Sequence, residues 1–241
     1  MTQLKASPEK RGKESHAFLS TLIALALIGL CLWASQWQYE RGVARHQRNA
    51  LIASQSILPA TTLDQVEREI TSAEWRQVEV IGVFDPTHQI LLRNRYSQGA
   101  YGFDLLTLFT DTRDRSFWVD RGWIAPGKSA TVTPELPPTV TTPVTITGRI
   151  RLDRSLPQGS FFAVSPGSEN LIEKWNARSG SRVQTETFYV DLLSSSNPEM
   201  TPKVPVELPE LSDGPHMAYA LQWIFFAGLV VYGRLLLRRA R

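Results

Sequence analysis

Residues 17–34 read AFLSTLIALALIGLCLWA, a run with no charge in which Ser20 and Thr21 are the markedly polar interruptions. As a helix rising 1.5 Å per residue it would be roughly 27 Å long, close to the hydrocarbon thickness of a bilayer. The other end of the chain repeats the pattern. Residues 217–233 read MAYALQWIFFAGLVVYG, with Gln222 as the single amide, and Leu235, Leu236 and Leu237 extend the run past Arg234. This second helix reaches about 31 Å if the Arg234 stem snorkels toward the headgroups. Both runs are read as transmembrane helices.

Whole-chain averages conceal this. The chain has 241 residues, 42% hydrophobic and 20% charged, with mean hydropathy −0.17, values that would suit a soluble protein. They exclude a disordered or collagen-like chain, and one cysteine excludes a disulfide scaffold. Charge orients the two helices. Lys5, Lys10, Arg11 and Lys13 precede the first, while Arg234, Arg238, Arg239 and Arg241 follow the second. Without those tails the chain keeps 18 basic and 21 acidic residues, so the middle is mildly acidic between basic ends. The positive-inside rule then puts both termini in the cytoplasm and the middle outside. A pI near 9.1 follows from topology and calls for no nucleic-acid partner.

The first run exceeds a usual signal-peptide core, and Leu32-Trp33-Ala34 lacks the small-x-small cleavage pattern, so a retained anchor is expected. Bulky Leu30 before Cys31 argues against a lipoprotein signal. The expected organisation is a cytoplasmic tail over 1–16, a transmembrane helix over 17–36 and a juxtamembrane helical segment over 37–72. A β-rich extracytoplasmic domain follows over 73–193, then a proline-rich linker over 194–215, a second transmembrane helix over 216–236 and a cytoplasmic tail over 237–241.

Within the middle region, Gln36–Ser54 reads as a helical extension, and Thr62 with Gln65 has the spacing of a capping box opening a short helix through Ile70. From Trp75 the period becomes two. Strands are expected over Trp75–Phe84, His88–Tyr96, Phe103–Thr110, Ser116–Ile124, Val144–Leu152 and Val183–Leu192, with Asp85-Pro86, Gly99/Gly102 and Asp111–Asp114 as turns. Ala125–Pro143 reads as a long loop. A loop through Gly159 and Pro166 leads to a short helix near Glu169–Ala177. The fold class is a membrane protein, two terminal transmembrane α-helices flanking a mainly antiparallel β domain of α+β type. A barrel-like sheet is the first choice and an open sheet covered by a helix the second.

Enzyme motifs are absent: no G-x-S-x-G, P-loop, H-E-x-x-H or glycine-rich dinucleotide turn occurs, and no enzyme is expected. His16, His46, His88 and His216 are scattered, and with Cys31 in the first anchor a copper-carrier site cannot be assembled. Polar and aromatic residues do gather near the expected outer ends of the anchors. Trp33, Trp37, Gln38 and Arg41 lie on the first; His216, Tyr219, Gln222 and Trp223 lie on the second. His216, Tyr219 and Trp223 share one helical face. They read either as an interfacial aromatic belt with a solvated histidine, or as a site where His216 meets a haem iron and Arg41 a propionate. Arg93, Arg95 and Arg121 sit among apolar strand residues. Arg121 is expected to stack its stem on an aromatic and pair with Asp120 or Asp104, unless it faces a partner.

Several blocks together resemble the Surfeit locus protein 1 family, whose yeast relatives are called Shy proteins. They are Trp37-Gln38-x-x-Arg41, Gly82-x-Phe84, Asn94-Arg95, Val119-Asp120-Arg121-Gly122-Trp123-Ile124-x-Pro126, Gly148-x-Ile150-Arg151, and His216-Met217-x-Tyr219-Ala220-Leu221-Gln222-Trp223-x-x-Phe226-Ala227. Ser35 replaces a glycine expected before Trp37, and Leu106-Thr107-Leu108 lacks a Thr-Pro, marking a divergent member. The resemblance implies a chaperone-like assembly factor for haem-copper cytochrome c oxidase, engaged in respiratory chain biogenesis. Its partners would be the oxidase catalytic subunit, the haem a synthesis machinery and the lipid bilayer. It further implies transient haem a, with the histidine at His216 as iron ligand; Arg41, Trp37, Tyr219 and Trp223 at the same helix ends complete the candidate cofactor residues. Arg95, Arg121 and Trp123 would serve a partner or the fold. The alternative is a scaffold that stabilises an oxidase intermediate without haem. A short N-tail containing acids suits a bacterial plasma membrane better than a mitochondrial transit peptide.

Overall fold

The computed structural model describes residues 8–127, 134–152 and 186–239. Along the chain come α1 (Pro8–Ser56), β1 (Thr61–Thr62), α2 (Leu63–Val66), a 3-10 turn (Glu67–Glu69), β2 (Gln77–Ser97), β3 (Ala100–Asp111), β4 (Ser116–Ile124), β5 (Val144–Leu152), β6 (Phe188–Ser195), a second 3-10 turn (Pro198–Met200) and α3 (His216–Arg239). These form two compact units, one of Met1–Ala50 with Leu211–Arg241 and one of Leu51–Glu210.

In the first unit α1 and α3 each contain a stretch long and apolar enough to cross a membrane. They pack as an antiparallel pair along a seam of period 3.5. On α1 the seam positions Thr21, Ala24, Ile28, Cys31, Ser35, Gln38 and Gly42 alternate three and four apart, and all are at least partly buried. On α3 the matching positions are His216, Ala220, Trp223, Ala227, Val230 and Arg234. Such spacing keeps one stripe facing the partner helix. Small residues on both sides let the backbones approach. Arg234 donates to Thr21 Oγ1 at 2.6 Å, and Ser35 Oγ donates to the Ala220 carbonyl at 2.9 Å.

The second unit is built on β2, a single strand of 21 residues. Asp85-Pro86 was expected to turn the chain; instead it makes a register shift against β3 between Asp85 and Gln89, with the strand continuing. Proline lacks a ladder donor, and a bulge accommodates it without reversing direction. The sheet is mixed, with mainly antiparallel pairings: β2 pairs antiparallel with β3 and β5, β3 with β4 and β5 with β6, while β4 pairs parallel with β6 and β1 with β2. The pairings run β2-β3-β4-β6-β5 and return to β2, a closed circuit of five strands with β1 attached. The parallel β4–β6 pair is what allows Trp118, Val119 and Asp120 to register with Tyr189, Val190 and Asp191.

Inside lies a core that includes Val78, Phe84, Phe109, Phe117, Ile146, Ile150, Phe188 and Val190. Phe84, Phe109, Phe117 and Phe188 form a chain of rings with centroids 4.8, 5.5 and 5.2 Å apart. β3 is buried on both faces from Gly102 to Phe109 rather than alternating, as expected of a strand covered on two sides. The capping-box expectation is corrected in detail. The Thr62 side chain makes no cap bond; Thr61 Oγ1 bonds the Gln65 side chain, and Thr62 pairs with Glu79 in the sheet. The expected loop through Gly159 and Pro166, the helix near Glu169–Ala177 and the start of the strand at Val183 lie outside the described residues.

Candidate functional site

His216 opens α3 in the first unit. The preceding turn is set by Gly214 at φ +66° and tied to α1 by three side chains. Arg45 Nε donates to the Ser212 carbonyl at 2.5 Å. The Asp213 carboxylate takes His46 Nδ1 and Asn49 Nδ2, each at 2.9 Å. Those bonds, His46 first and Asn49 second, hold Asp213 below the ordinary carboxylate range. The imidazole of His216 is half-buried, with Nδ1 2.9 Å from Gln38 Oε1. Gly42 leaves room for the start of α3: a Cβ there would lie 3.0 Å from Met217 Sδ.

The other expected cofactor residues lie on the same two helices. The Arg41 guanidinium stacks 4.7 Å from the centroid of the Trp37 ring, and among the described residues Arg41 has no carboxylate partner. Tyr219 is 46% exposed. Trp223 is half-buried and meets Phe226 edge-on at 5.7 Å. The structure therefore joins His216 to Gln38 and Trp37 to Arg41. No hydrogen bond or ion pair joins Arg41 to His216, Tyr219 or Trp223.

In the second unit Arg95 pairs with Asp104 at 2.7 Å, and the Trp123 indole N–H donates to the Arg95 carbonyl at 3.4 Å. Arg121 departs from expectation. Its guanidinium lies over the Phe84 ring, 5.7 Å from the centroid, and donates to neutral acceptors, Thr139 Oγ1 and the Pro138 carbonyl, each at 2.6 Å. It pairs with neither Asp120 nor Asp104, because Asp120 turns to cap the Gly122 N–H at 2.8 Å and Asp104 is taken by Arg95. Burial pushes Arg121 down to about 10. The Arg-Gly-Trp block also holds the chain after β6. Trp123 N donates to the Val204 carbonyl at 2.9 Å, Arg149 bonds the Val206 carbonyl, and Gly122 at φ +86° leaves no room for a Cβ against Val204.

One cluster was missed in the sequence reading. Asp104, Asp120 and Asp191 are all buried near one another. Burial raises Asp104 to about 6, the Arg95 charge opposing it. Asp120 is raised well above its ordinary value by burial and then by Asp104 and Asp191. Burial raises Asp191 too, against Arg151 and Arg149. Arg151 reaches Asp191 Oδ2 at 3.1 Å while its guanidinium covers the Trp75 ring at 3.7 Å. The available signal was an aspartate directly after an apolar residue inside each of three strand segments, Phe103-Asp104-Leu105, Val119-Asp120-Arg121 and Val190-Asp191-Leu192. No group of three His, Cys, Asp or Glu able to hold a metal occurs among the described residues.

A family model described as the SURF1 family matches residues 25–228. Three uncharacterised SURF1-like proteins, from Mycobacterium bovis and two strains of Mycobacterium tuberculosis, are each similar to this chain. Each is 27% identical over 219 residues, covering 88% of this chain and 79% of the relative.

Proposed function

The chain belongs to the SURF1 family, whose members are in general assembly factors for cytochrome oxidase, and from that premise we propose that it helps deliver haem a to the oxidase catalytic subunit. Both apolar helices would cross the bacterial plasma membrane, with basic tails in the cytoplasm and the sheet unit, read as a small barrel, on the outer side. The observation that carries the cofactor reading is His216, a half-buried imidazole at the head of α3 with one ring nitrogen engaged and the other without a partner among the described residues. Neighbouring chemistry fits the group. Among the described residues Arg41 has no carboxylate partner, and its guanidinium is suited to a propionate, while Trp37, Tyr219 and Trp223 offer aromatic surface to a macrocycle. Haem would supply an iron that accepts an imidazole nitrogen; the chain's part is to bind it, orient it and keep it from water until release. Transient loading suits a single protein ligand at a helix end better than an enclosed cavity.

The test is direct. Protein purified from cells that make haem a should show haem absorbance, and His216→Ala should lose most of it. Absence of haem from the native protein, or an unchanged spectrum in the variant, would sink the cofactor role. Co-purification of oxidase subunits whether or not haem a is made would favour a scaffold role. Normal haem-a oxidase activity in a deletion strain would overturn assembly altogether.

A further inference from the structure

A neutral imidazole carries one proton and one available lone pair, and the partner of one ring nitrogen decides which nitrogen keeps which. At His216 that partner is Gln38 Oε1, 2.9 Å from Nδ1. A carbonyl oxygen only accepts, so this contact requires a proton on Nδ1 and leaves the lone pair on Nε2. Metal-bound histidines are commonly oriented this way, by a second bond from the nitrogen that does not touch the metal.

Gln38 is placed for such a role by the helix pair itself. It occupies a half-buried seam position on α1, one turn from Ser35, whose hydroxyl ties α1 to the Ala220 carbonyl on α3. On the far side, Asp213 is held by His46 and Asn49, so the start of α3 is fixed relative to α1 both before and after His216. The ring consequently meets Gln38 at a set register rather than searching for it.

We infer that Gln38 is the positioning residue of the site, holding His216 in the tautomer that presents Nε2 for ligation. The ligand half of this rests on the haem reading above; the tautomer half stands on the helix pair alone. An amide at this position thus has a specific task, and the structural role of filling the seam does not require its oxygen.

The experiment uses the full chain in detergent micelles with 15N-labelled histidine and no haem, at a pH where the ring is neutral. Only four histidines are present, and His216→Ala assigns the signal. Wild type should show a protonated Nδ1 and an unprotonated Nε2 at His216. Gln38→Leu should move the proton toward Nε2, and Gln38→Glu, which restores an accepting oxygen, should move it back. A protonated Nε2 in wild type, or no response to Gln38→Leu, overturns the inference. In parallel, Gln38→Leu should weaken haem binding by about tenfold or more, with Gln38→Glu retaining it. If the tautomer responds as stated but His216→Ala binds haem as wild type does, the haem reading fails and the ligand role fails with it.

Discussion

Replacing Arg121 separates what its charge contributes from what its stem contributes. The guanidinium donates two short bonds to neutral oxygens, and bonds from a charged donor are worth about 1.5–3 kcal/mol each. Against them stands desolvation, which lowers the group from 12.5 to about 10, a cost of about 3 kcal/mol to the charged form. At about 1.5 kcal/mol per bond, the value suited to acceptors that water can also reach, the two offset. Pro138 is exposed and Thr139 half-exposed, so water can take over the vacated acceptors. The stem is different. Arg121 is buried, and truncation to alanine removes the Cγ and Cδ methylenes, which contribute about 0.8 kcal/mol each, and adds a cavity term. Arg121→Ala should therefore cost about 2–4 kcal/mol and Arg121→Met, which keeps the stem, within about 1 kcal/mol. By thermal unfolding of the full chain in detergent, the first should lower Tm by about 5–15 °C. Equal losses in the two variants would refute the argument by showing that charge dominates. An unchanged Tm in Arg121→Ala with failed oxidase maturation would assign the residue to a partner instead.

Other consequences can be checked on the same preparation. Gly122→Ala places a Cβ against the Val204 carbonyl at a left-handed φ and should cost at least about 2 kcal/mol, seen as a lower Tm; a neutral change would show that the segment after β6 is not held there. Asp104 is raised from 3.8 to about 6, so between those values the folded chain holds a proton that the unfolded chain has released. Its contribution is then full below about pH 4 and is lost as pH rises through 6, by up to about 3 kcal/mol. Asp104→Asn should remove that part of the slope, and a slope that survives intact would place the proton elsewhere. Ala220→Phe wedges the seam where Ser35 bonds the Ala220 carbonyl. It should shift the His216 resonances in the labelled protein, whereas an unperturbed spectrum would mean that the helices do not share this register.

Parts of this architecture were legible in the sequence because they depend on local composition. The two apolar runs, the turn residues at Gly99 and Asp111–Asp114, and the strand signals of Ser116–Ile124 and Val144–Leu152 follow from which residues stand side by side. The Asp85-Pro86 turn did not follow. A proline and an aspartate mark a break in the ladder, but whether the chain reverses or bulges depends on the neighbouring strand, and β3 pairs on both sides of the break. For the same reason period-two alternation failed in β3, since burial on its second face is decided by what covers it.

The candidate site divides the same way. His216, Trp37, Arg41, Tyr219 and Trp223 could be named because their residue types sit at helix spacing near the ends of apolar runs. Their partners could not. That Gln38 meets His216 across 178 positions, that Asp213 ties the turn before it, and that Arg121 bonds Pro138 and Thr139 rather than an acid depend on helix register and strand order. Three aspartates spread over 87 positions of sequence, from Asp104 to Asp191, come together because β3 pairs antiparallel with β4 and β4 pairs parallel with β6. By itself the sequence determined where the apolar helices and strands lie, since hydrophobic patterning is written residue by residue. Tertiary structure alone decided which polar groups meet, because a buried charge or amide is satisfied by whatever the fold brings within 3 Å of it.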